Sequence, residues 1–450
     1  MSGEPTIAVG ILEAPSVEFE GDLDAGAGAA LRGHCTARID GGRVLIESGA
    51  RRARYDSGVL LAPSGSGVRS FLLKGVTIGV NFHWERKEDQ RFTGALRLLA
   101  RGERVVAVNE VSLEEYLASV ISSEMSASSS MNLLKAHAVT SRSWLIAQLD
   151  RSRMLRGGGK RPATLREEAG LRVRWYDRED HDMYDVCADD HCQRYQGITK
   201  GATPAVRRAI DETRGEVLLY DGVVCDARFS KSCGGITEPF GTVWEERHVP
   251  YLVNIRDVRP RGDERPGPDY QLTDVSAEQA AASWITGSPD AFCNTADREI
   301  LSHVLLKYDQ ETTDFFRWNV TYAQDEIAAI VRERSGVDFG AIRDIVPLER
   351  GPSGRLKLLR IVGEKRTLAI GKELEIRRTL SRSHLYSSAF VVEREDLRHG
   401  VPGRFLLRGA GWGHGVGLCQ IGAAVMGARG YPPAEILTQY FPGAVTRKIY

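Results

Sequence analysis

Residues 111–147 read VSLEEYLASVISSEMSASSSMNLLKAHAVTSRSWLIA, and in this stretch the hydrophobic pattern changes from a strand period to a helical one. Ser112 and Glu115 have the spacing of a capping box, which predicts a helix start. A first helix is predicted from apolar residues on one face, namely Tyr116, Leu117, Val120 and Ile121. A second helix follows the SASSS break with the apolar stripe Leu133, Leu134, Ala138 and Leu145. Glu124 therefore lies at a helix end rather than in mid-helix.

Short β-branched runs lie on both sides of this helical pair. TIAVGIL, GRVLIESG and RVVAVNEV, separated by glycine-rich turns, predict a β-rich N-terminal segment over residues 1–110. Short strands and one helix alternate again between residues 317 and 400. We therefore expect an α+β fold, a mixed β core with a few helices that form a groove with Glu124 at its floor. The strands before residue 110 and after residue 350 are expected to share this core.

Three local signals lie between these regions. The triple glycine and dense charge of residues 151–175 predict an exposed insertion. Thr203 and Pro204 predict the start of a third helix that ends at Gly215. Two β runs joined by Asp221-Gly222 predict a type I′ hairpin.

The composition narrows the classes of function. The chain has 450 residues, and its 60 Lys and Arg balance its 60 Asp and Glu, so its formal net charge is zero. A neutral chain is not a general polyanion binder, and we expect no nucleic-acid partner. No apolar run reaches the roughly 18 residues of a transmembrane helix. The first residues, MSGEPTIAVGILEAP, lack the basic and apolar regions of a secretory signal, which leaves the compartment unknown.

Glu124 is the first candidate for chemistry. A carboxyl group at a helix end, enclosed by apolar residues such as Met125, is desolvated, and desolvation raises its pKa toward that of a general acid. The alternative interpretation is a solvated glutamate that ends the helix.

The glycine-dense segment GWGHGVGLCQIGA is the second candidate. Its alternating glycines allow positive φ or a close approach to a ligand, and they present Trp412, His414 and Gln420. An aromatic ring beside an imidazole and an amide suits sugar stacking and hydrogen bonding. Tight β-bulges packed against the second helix are the structural alternative.

A cysteine–histidine segment is the third candidate. His181, Cys187 and Cys192, with His191 adjacent, offer thiolate and imidazole ligands that suit tetrahedral Zn²⁺. The spacing departs from the common C-x2-C knuckle, so a local disulfide or two unpaired thiols remain alternatives.

Two further cysteines and two serines lie around the predicted hairpin. Cys225 and Cys233 either cross-link or are small buried hydrophobic residues. Ser230 and Ser232 lie beside a flexible Gly-Gly pair, but the segment has no G-x-S-x-G motif. A serine hydrolase is therefore disfavoured.

Together these segments resemble the SpoIID/LytB family of sporulation proteins and amidase enhancers that act on peptidoglycan. The matching blocks, in family order, are the helical pair of residues 111–147, ARFSKSCGGITEPFGTVW (227–244), SGRLKLLRIVG (353–363) and GAGWGHGVGLCQIGAAVMGARGYPPAEILTQYFPG (409–443). The resemblance implies a SpoIID/LytB-like domain over residues 105–450, which includes the 151–175 insertion.

The resemblance implies a lytic transglycosylase, a carbon–oxygen lyase that cleaves peptide-stripped glycan strands to 1,6-anhydro-N-acetylmuramic acid ends. The family's catalytic acid is the Glu of its S-E-M motif, in this chain Glu124. Arg142 matches the family's arginine after the A-x-A-V block. We expect it to pair with a substrate carboxylate or to position Glu124, and a helix-surface arginine is the alternative. The residues expected to bind the glycan in addition to Arg142 are Ser230, Ser232, Trp412, His414 and Gln420.

Some family members also hold a structural zinc, and the resemblance favours His181, Cys187 and Cys192 as ligands, with His191 or water as a fourth. Its role would be to fix the loop of residues 176–200 along the groove. The implied compartment is the cell envelope. The rival functions are a non-catalytic peptidoglycan-binding enhancer of an N-acetylmuramoyl-L-alanine amidase, and a zinc-stabilised protein with a vestigial groove.

The sequence departs from the family pattern at two positions. Cys419 stands where the family usually has serine, and Cys233 interrupts the usual serine-rich S-x-S-G-G stretch. The charged segment 84–91 and the 151–175 insertion have no evident counterpart.

Overall fold

The structure is a computed structural model. It describes residues 3–26, 30–64, 69–79, 85–125, 129–159, 162–176, 181–189, 191–258, 272–304 and 312–450.

The described chain begins with a run of strands, and helices alternate with strands after it. The strands before the first helix are β1 (Thr6–Ala14), β2 (Ser16–Asp24), β3 (Ala30–Asp40), β4 (Arg43–Ser48), β5 (Arg51–Tyr55), β6 (Gly58–Pro63), β7 (Ser70–Ile78), β8 (Arg86–Thr93), β9 (Ala95–Arg101) and β10 (Arg104–Ser112). The later strands are β11 (Leu165–Glu168), β12 (Leu171–Arg174), β13 (Val186–Cys187), β14 (Glu216–Tyr220), β15 (Val223–Val224), β16 (Phe229–Ser230), β17 (Arg317–Ala323), β18 (Ile342–Arg350), β19 (Leu356–Gly363), β20 (Thr367–Gly371), β21 (Phe390–Glu395), β22 (Arg404–Ala410), β23 (Leu418–Cys419) and β24 (Val445–Lys448). The helices are α1 (Leu113–Glu124), α2 (Met131–Arg156), α3 (Pro204–Glu212), α4 (Phe240–Val243), α5 (Glu278–Thr286), α6 (Arg298–Val304), α7 (Gln324–Ser335), α8 (Glu373–Thr379), α9 (Gln420–Ala428) and α10 (Pro433–Tyr440).

An 11-stranded sheet contains all ten strands that precede α1, together with β13. Its order is β13-β1-β10-β9-β6-β2-β3-β4-β5, and β7 pairs with β2 and β8. The short strand β13 runs parallel to β1 and sets Cys187 opposite Gly10. The edge of the large sheet therefore carries one of the predicted metal ligands.

The helical pair forms as the sequence predicts, but the predicted capping box is wrong. α1 continues directly from β10, and Ser112 makes no side-chain cap bond. The Glu115 carboxylate is instead paired with the guanidinium of Arg207 on α3. Ser130 does cap α2, because its hydroxyl accepts the N–H of Leu133 at 3.3 Å.

The other local predictions agree with the structure. Thr203 caps α3 and Pro204 is its first residue, although the helix ends at Glu212, before Gly215. Asp221 and Gly222 both have positive φ, 49° and 78°, in the two-residue turn between β14 and β15. These values are those of a type I′ hairpin.

Two separate hydrophobic cores contradict the prediction of one shared core. The first joins the large sheet to α1, α2, α9 and α10. The second lies within residues 318–407 and is formed by β17, α7, β18, β19, β20, α8, β21 and β22. The strands β19, β20, β21 and β22 are therefore packed in the second core, because they pair with each other and with β12, β17 and β18 rather than with the N-terminal strands. The short strand β23 does lie in the first core, as the prediction expected.

The confirmed part of the fold prediction is a mixed α+β architecture dominated by sheets. Among the described residues, no helix has both the length and the apolar character needed to span a membrane.

Candidate functional site

Glu124 is the last residue of α1 and is half-buried. Its Oε1 atom accepts a hydrogen bond from the main-chain N–H of Arg194 at 2.9 Å. The helix ends at this point because Met125, the next residue, adopts an extended conformation with φ −136°. The carboxylate is therefore held between the C-terminal end of α1 and a loop distant in sequence.

That loop, residues 191–196, is anchored to the first core beside Glu124. The phenol of Tyr195 donates to Oδ1 of Asn109 at 2.6 Å, and its ring stacks on Tyr116 with a centroid distance of 5.1 Å. The N–H of Gln196 donates to the Ser119 hydroxyl of α1 at 3.0 Å. Burial raises the pKa of Tyr195 above its ordinary value, so the phenol keeps the proton that it donates. The position of the Arg194 N–H relative to α1 is thereby fixed.

The predicted metal ligands converge at the start of the same loop. His181, Cys187, His191 and Cys192 each present one ligand atom, and these atoms lie within 4.8 Å of one another. Sγ of Cys192 lies 3.4 Å from both His181 Nε2 and His191 Nδ1. Two sulfurs and two imidazole nitrogens are a donor set typical of tetrahedral Zn²⁺. His191 is thus placed as a fourth potential ligand.

The orientation of these donors also suits a metal. His191 directs Nδ1 to the two sulfurs, while its Nε2 lies 3.2 Å from the carbonyl oxygen of Tyr176. Hydrogen bonds from Cys192, then from His181 and His191, lower the pKa of the Cys187 thiol. Both cysteines are free thiols, so the structure does not contain the alternative local disulfide.

The glycine-dense loop, residues 411–417, surrounds a buried arginine. Gly411, Gly413, Gly415 and Gly417 all have positive φ, between 73° and 90°. A Cβ atom at Gly415 would lie 2.4 Å from Cζ of Arg355. The guanidinium of Arg355 donates to the carbonyl oxygens of Gly413 and Cys233, at 3.3 and 3.0 Å. The close approach that Gly411 and Gly415 permit is therefore made to Arg355 of the protein itself.

The two predicted sugar-binding rings of this loop are packed against other rings. Trp412 contacts Tyr386 and Phe315, with ring centroids 4.2 and 4.8 Å away. Nδ1 of His414 accepts the N–H of Val416 at 3.0 Å, and its ring lies 4.9 Å from that of Trp244. Burial, followed by nearby arginines, holds the pKa of His414 well below its ordinary value. His414 is therefore a neutral imidazole in this structure.

The remaining predicted glycan-binding residues lie beneath the surface. Ser232 and Trp412 form a two-way main-chain bridge at 3.0 and 2.8 Å, and the side chain of Ser232 is fully buried. Ser230 is also buried, directly beside Gly413. Nε2 of Gln420 lies 3.4 Å from Nε2 of His137 on α2. These contacts join the glycine-dense loop to β16 and α2.

Arg142 is not a helix-surface arginine, because its side chain is 0% exposed. Its guanidinium makes a bidentate ion pair with Glu114, at 3.1 and 2.7 Å, and donates to the carbonyl of Glu216 at 3.0 Å. These contacts join α1, α2 and β14. Arg142 therefore holds the fold together and is not placed to bind substrate.

Sequence reasoning missed two residues of the site. Arg194 acts through its main-chain N–H, for which its side-chain type gives no signal. Arg355 lies in the SGRLKLLRIVG segment. A charged residue beside the apolar residues of a predicted strand was the signal that could have identified it.

Comparisons with known proteins match two parts of the chain. Residues 101–220 match the family described as Stage II sporulation protein (SpoIID), and residues 238–417 match a domain of unknown function (DUF8618). The chain is 26% identical over 244 residues to an amidase enhancer of Bacillus subtilis, covering 52% of this chain and 32% of that protein. It is 24% identical over 352 residues to an uncharacterized protein of Brachyspira hyodysenteriae, covering 78% and 71% respectively. The chain thus spans about a third of the length of the amidase enhancer.

Proposed function

Because the chain belongs to the SpoIID/LytB family through its residues 101–220, we propose that it is a lytic transglycosylase of peptide-stripped peptidoglycan. The bond cleaved joins N-acetylmuramic acid to N-acetylglucosamine, and the product ends in 1,6-anhydro-N-acetylmuramic acid. Glu124 is the catalytic acid and base. This substrate places the activity in the cell envelope.

The observation that carries the proposal is the geometry of Glu124. The carboxyl group stands at the C-terminal end of α1, which is the negative end of the helix dipole. The Arg194 N–H at 2.9 Å stabilises the carboxylate that remains after the proton has left. A group that must both give and take a proton needs an environment in which each form is stabilised.

The reaction needs one carboxyl group. Protonated Glu124 gives its proton to the glycosidic oxygen while the bond from that oxygen to C1 of the muramyl residue breaks. The muramyl 6-hydroxyl oxygen then bonds to C1, and the Glu124 carboxylate takes the hydroxyl proton. No water is consumed, so the paired carboxylates that most glycosidases use are not required.

We further propose that His181, Cys187, His191 and Cys192 bind a structural zinc ion. Zinc would supply a rigid tetrahedral link between β13, at the edge of the large sheet, and the 191–196 loop. His191 and Cys192 belong to the loop whose Arg194 N–H holds Glu124. The residues of the cluster would thus position the acid without contact with the substrate.

The second candidate is a non-catalytic enhancer that binds peptidoglycan and stimulates an N-acetylmuramoyl-L-alanine amidase. The name of the Bacillus subtilis relative favours it. The inward packing of Gln420 and the ring contact of His414 with Trp244 favour it too, because both side chains are engaged within the protein.

The two candidates differ in what the purified protein does alone. Peptide-stripped glycan strands incubated with it should yield anhydro-muramyl ends, detected by mass spectrometry. Intact peptidoglycan should be incubated in parallel with an amidase, with and without the protein. If the protein stimulates the amidase but forms no anhydro ends from the stripped strands, the enhancer function is supported and the transglycosylase function is contradicted.

A further inference from the structure

A second cysteine cluster lies away from Glu124, and its members are far apart in sequence. Cys233, Asp257, Cys293 and Cys419 each present one ligand atom, and these atoms lie within 4.8 Å of one another. All four side chains are at most 2% exposed. The cluster of Cys233 therefore forms only when the chain has folded.

The spacing of the donors suits tetrahedral coordination. Sγ of Cys233 lies 3.7 Å from Sγ of Cys293. Two sulfurs bound to one zinc at about 2.3 Å stand about 3.8 Å apart at the tetrahedral angle. The main-chain N–H of Cys233 donates to Sγ of Cys419 at 3.2 Å. Such N–H···S bonds orient metal-bound thiolates and spread their charge.

Asp257 completes the set with oxygen. The Tyr440 phenol donates to its Oδ1 at 2.7 Å, and the Cys293 N–H donates to its Oδ2 at 2.8 Å. Among the described residues, no Lys, Arg or His side chain forms an ion pair with this fully buried carboxylate. Each oxygen has a further lone pair, and a metal cation is one partner that compensates the burial of a carboxyl group without an ion pair.

We propose that Cys233, Asp257, Cys293 and Cys419 form a closed structural site for a thiophilic divalent metal of the Zn²⁺ class. Four protein ligands and complete burial leave no open coordination position, so the site has no role in activating water. The guanidinium of Arg317 donates to the carbonyl of Gly234, the residue after Cys233, at 3.1 Å, which places a positive charge near the cysteine cluster.

The positions of the ligands indicate what the metal fastens. Cys233 and Cys419 stand just before and just after the 238–417 domain match, whereas Asp257 and Cys293 lie within it. The metal ties together the two points where the chain enters and leaves this matched segment. Cys233 and Cys419 are also the two positions that depart from the family pattern, so both departures serve one site.

The number of metal ions bound per chain distinguishes this site from the first cluster, which consists of His181, Cys187, His191 and Cys192. Wild type, Cys293→Ser and the double variant Cys187→Ser/Cys192→Ser are loaded with Zn²⁺ alone, dialysed and measured by elemental analysis. The expected contents are about two, one and one zinc ions per chain. Cys225→Ser is the matched control, because Cys225 is a buried free thiol outside both clusters, and it should keep two.

A spectroscopic measurement on the double variant keeps the test decisive if Cys293→Ser fails to fold. Co²⁺ bound to it should show intense thiolate-to-metal charge-transfer absorption. A folded double variant that retains no metal overturns the proposal. The reactive thiols of the same variant are also titrated in denaturant. A count two lower than its number of cysteines identifies a disulfide and likewise overturns the proposal. Zinc content unchanged by a folded Cys293→Ser variant overturns it as well.

Discussion

The main-chain N–H of Arg194 and the Oε1 atom of Glu124 are joined by a hydrogen bond of 2.9 Å. Arg194 follows Cys192 by two residues, so a candidate metal ligand and the candidate acid are connected through a very short piece of chain. Tyr195 and Gln196 fasten the same loop to Asn109 and Ser119. The geometry of the acid therefore depends on this loop, which begins with two members of the first cysteine–histidine cluster.

Removal of two ligands of the first cluster should loosen this loop. In Cys187→Ser/Cys192→Ser we expect the loss of about one zinc per chain and faster hydrogen exchange of the Arg194 amide. Activity should fall roughly 10- to 100-fold, because ligand loss misplaces the group that holds Glu124. Hydrogen-exchange mass spectrometry and elemental analysis test this. Cys35→Ser, a buried cysteine of β3, is the control, and an equal effect there would contradict the account.

Loss of the Arg142 guanidinium should destabilise the fold. Arg142→Met leaves the buried Glu114 carboxylate without its cation, which costs about 3–5 kcal/mol of unfolding free energy. Urea denaturation measures this, and Arg142→Met/Glu114→Gln should recover part of the loss. Arg208→Met removes the exposed pair with Glu212 and should leave the unfolding free energy almost unchanged. Similar losses in the two single variants would argue against a structural role for Arg142.

Gly415 should tolerate no side chain. Gly415→Ala brings a Cβ to 2.4 Å from Cζ of Arg355 and forces alanine to φ 74°, so we expect a loss of about 2 kcal/mol or more. Gly430 has φ 84° but open space around it, which makes Gly430→Ala the matched control at about 1 kcal/mol. Chemical denaturation compares them. Equal destabilisation would mean that backbone strain alone, and not the contact with Arg355, explains the glycine.

Glu238 should make stability depend on pH. Burial raises its pKa from 4.5 to about 7, despite hydrogen bonds to Ser353 and Thr242 and the charge of Arg355. The folded state therefore binds a proton that the unfolded chain releases between these values, so stability decreases as pH rises through that window. At roughly 1.4 kcal/mol per pKa unit, the loss is up to about 3.5 kcal/mol.

Urea denaturation of wild type and Glu238→Gln at about pH 5 and about pH 8 tests this sign. The variant should lose less stability than wild type between the two values, because its amide does not titrate. An equal or steeper loss in the variant would show that other groups cause the dependence.

Local signals in the sequence predicted the elements that carry Glu124. The apolar spacing around Ile121 and Leu134 gave the two helices, and Asp221-Gly222 gave the hairpin turn, because each depends on neighbouring residues only. The two cores could not be predicted in this way. A β period identifies a strand but not the strand it pairs with.

The site residues that could be predicted from the sequence are likewise those whose partners lie nearby in the chain. His181, Cys187 and Cys192 lie within a short stretch, so their convergence with His191 follows from local chain geometry. Arg142 could not be assigned, because its partner Glu114 lies on the preceding helix and its burial is decided by packing.

The most direct test of the central claim is the product formed from peptide-stripped glycan strands by wild type, Glu124→Gln and Glu115→Gln. Glu115 lies on the same helix in a partly exposed ion pair with Arg207, which makes it the matched control. Mass spectrometry should show anhydro-muramyl ends from wild type and Glu115→Gln, and a rate about 10²- to 10⁴-fold lower from Glu124→Gln. Anhydro ends formed at the wild-type rate by Glu124→Gln would contradict the role of Glu124, and none from folded wild type would contradict the transglycosylase.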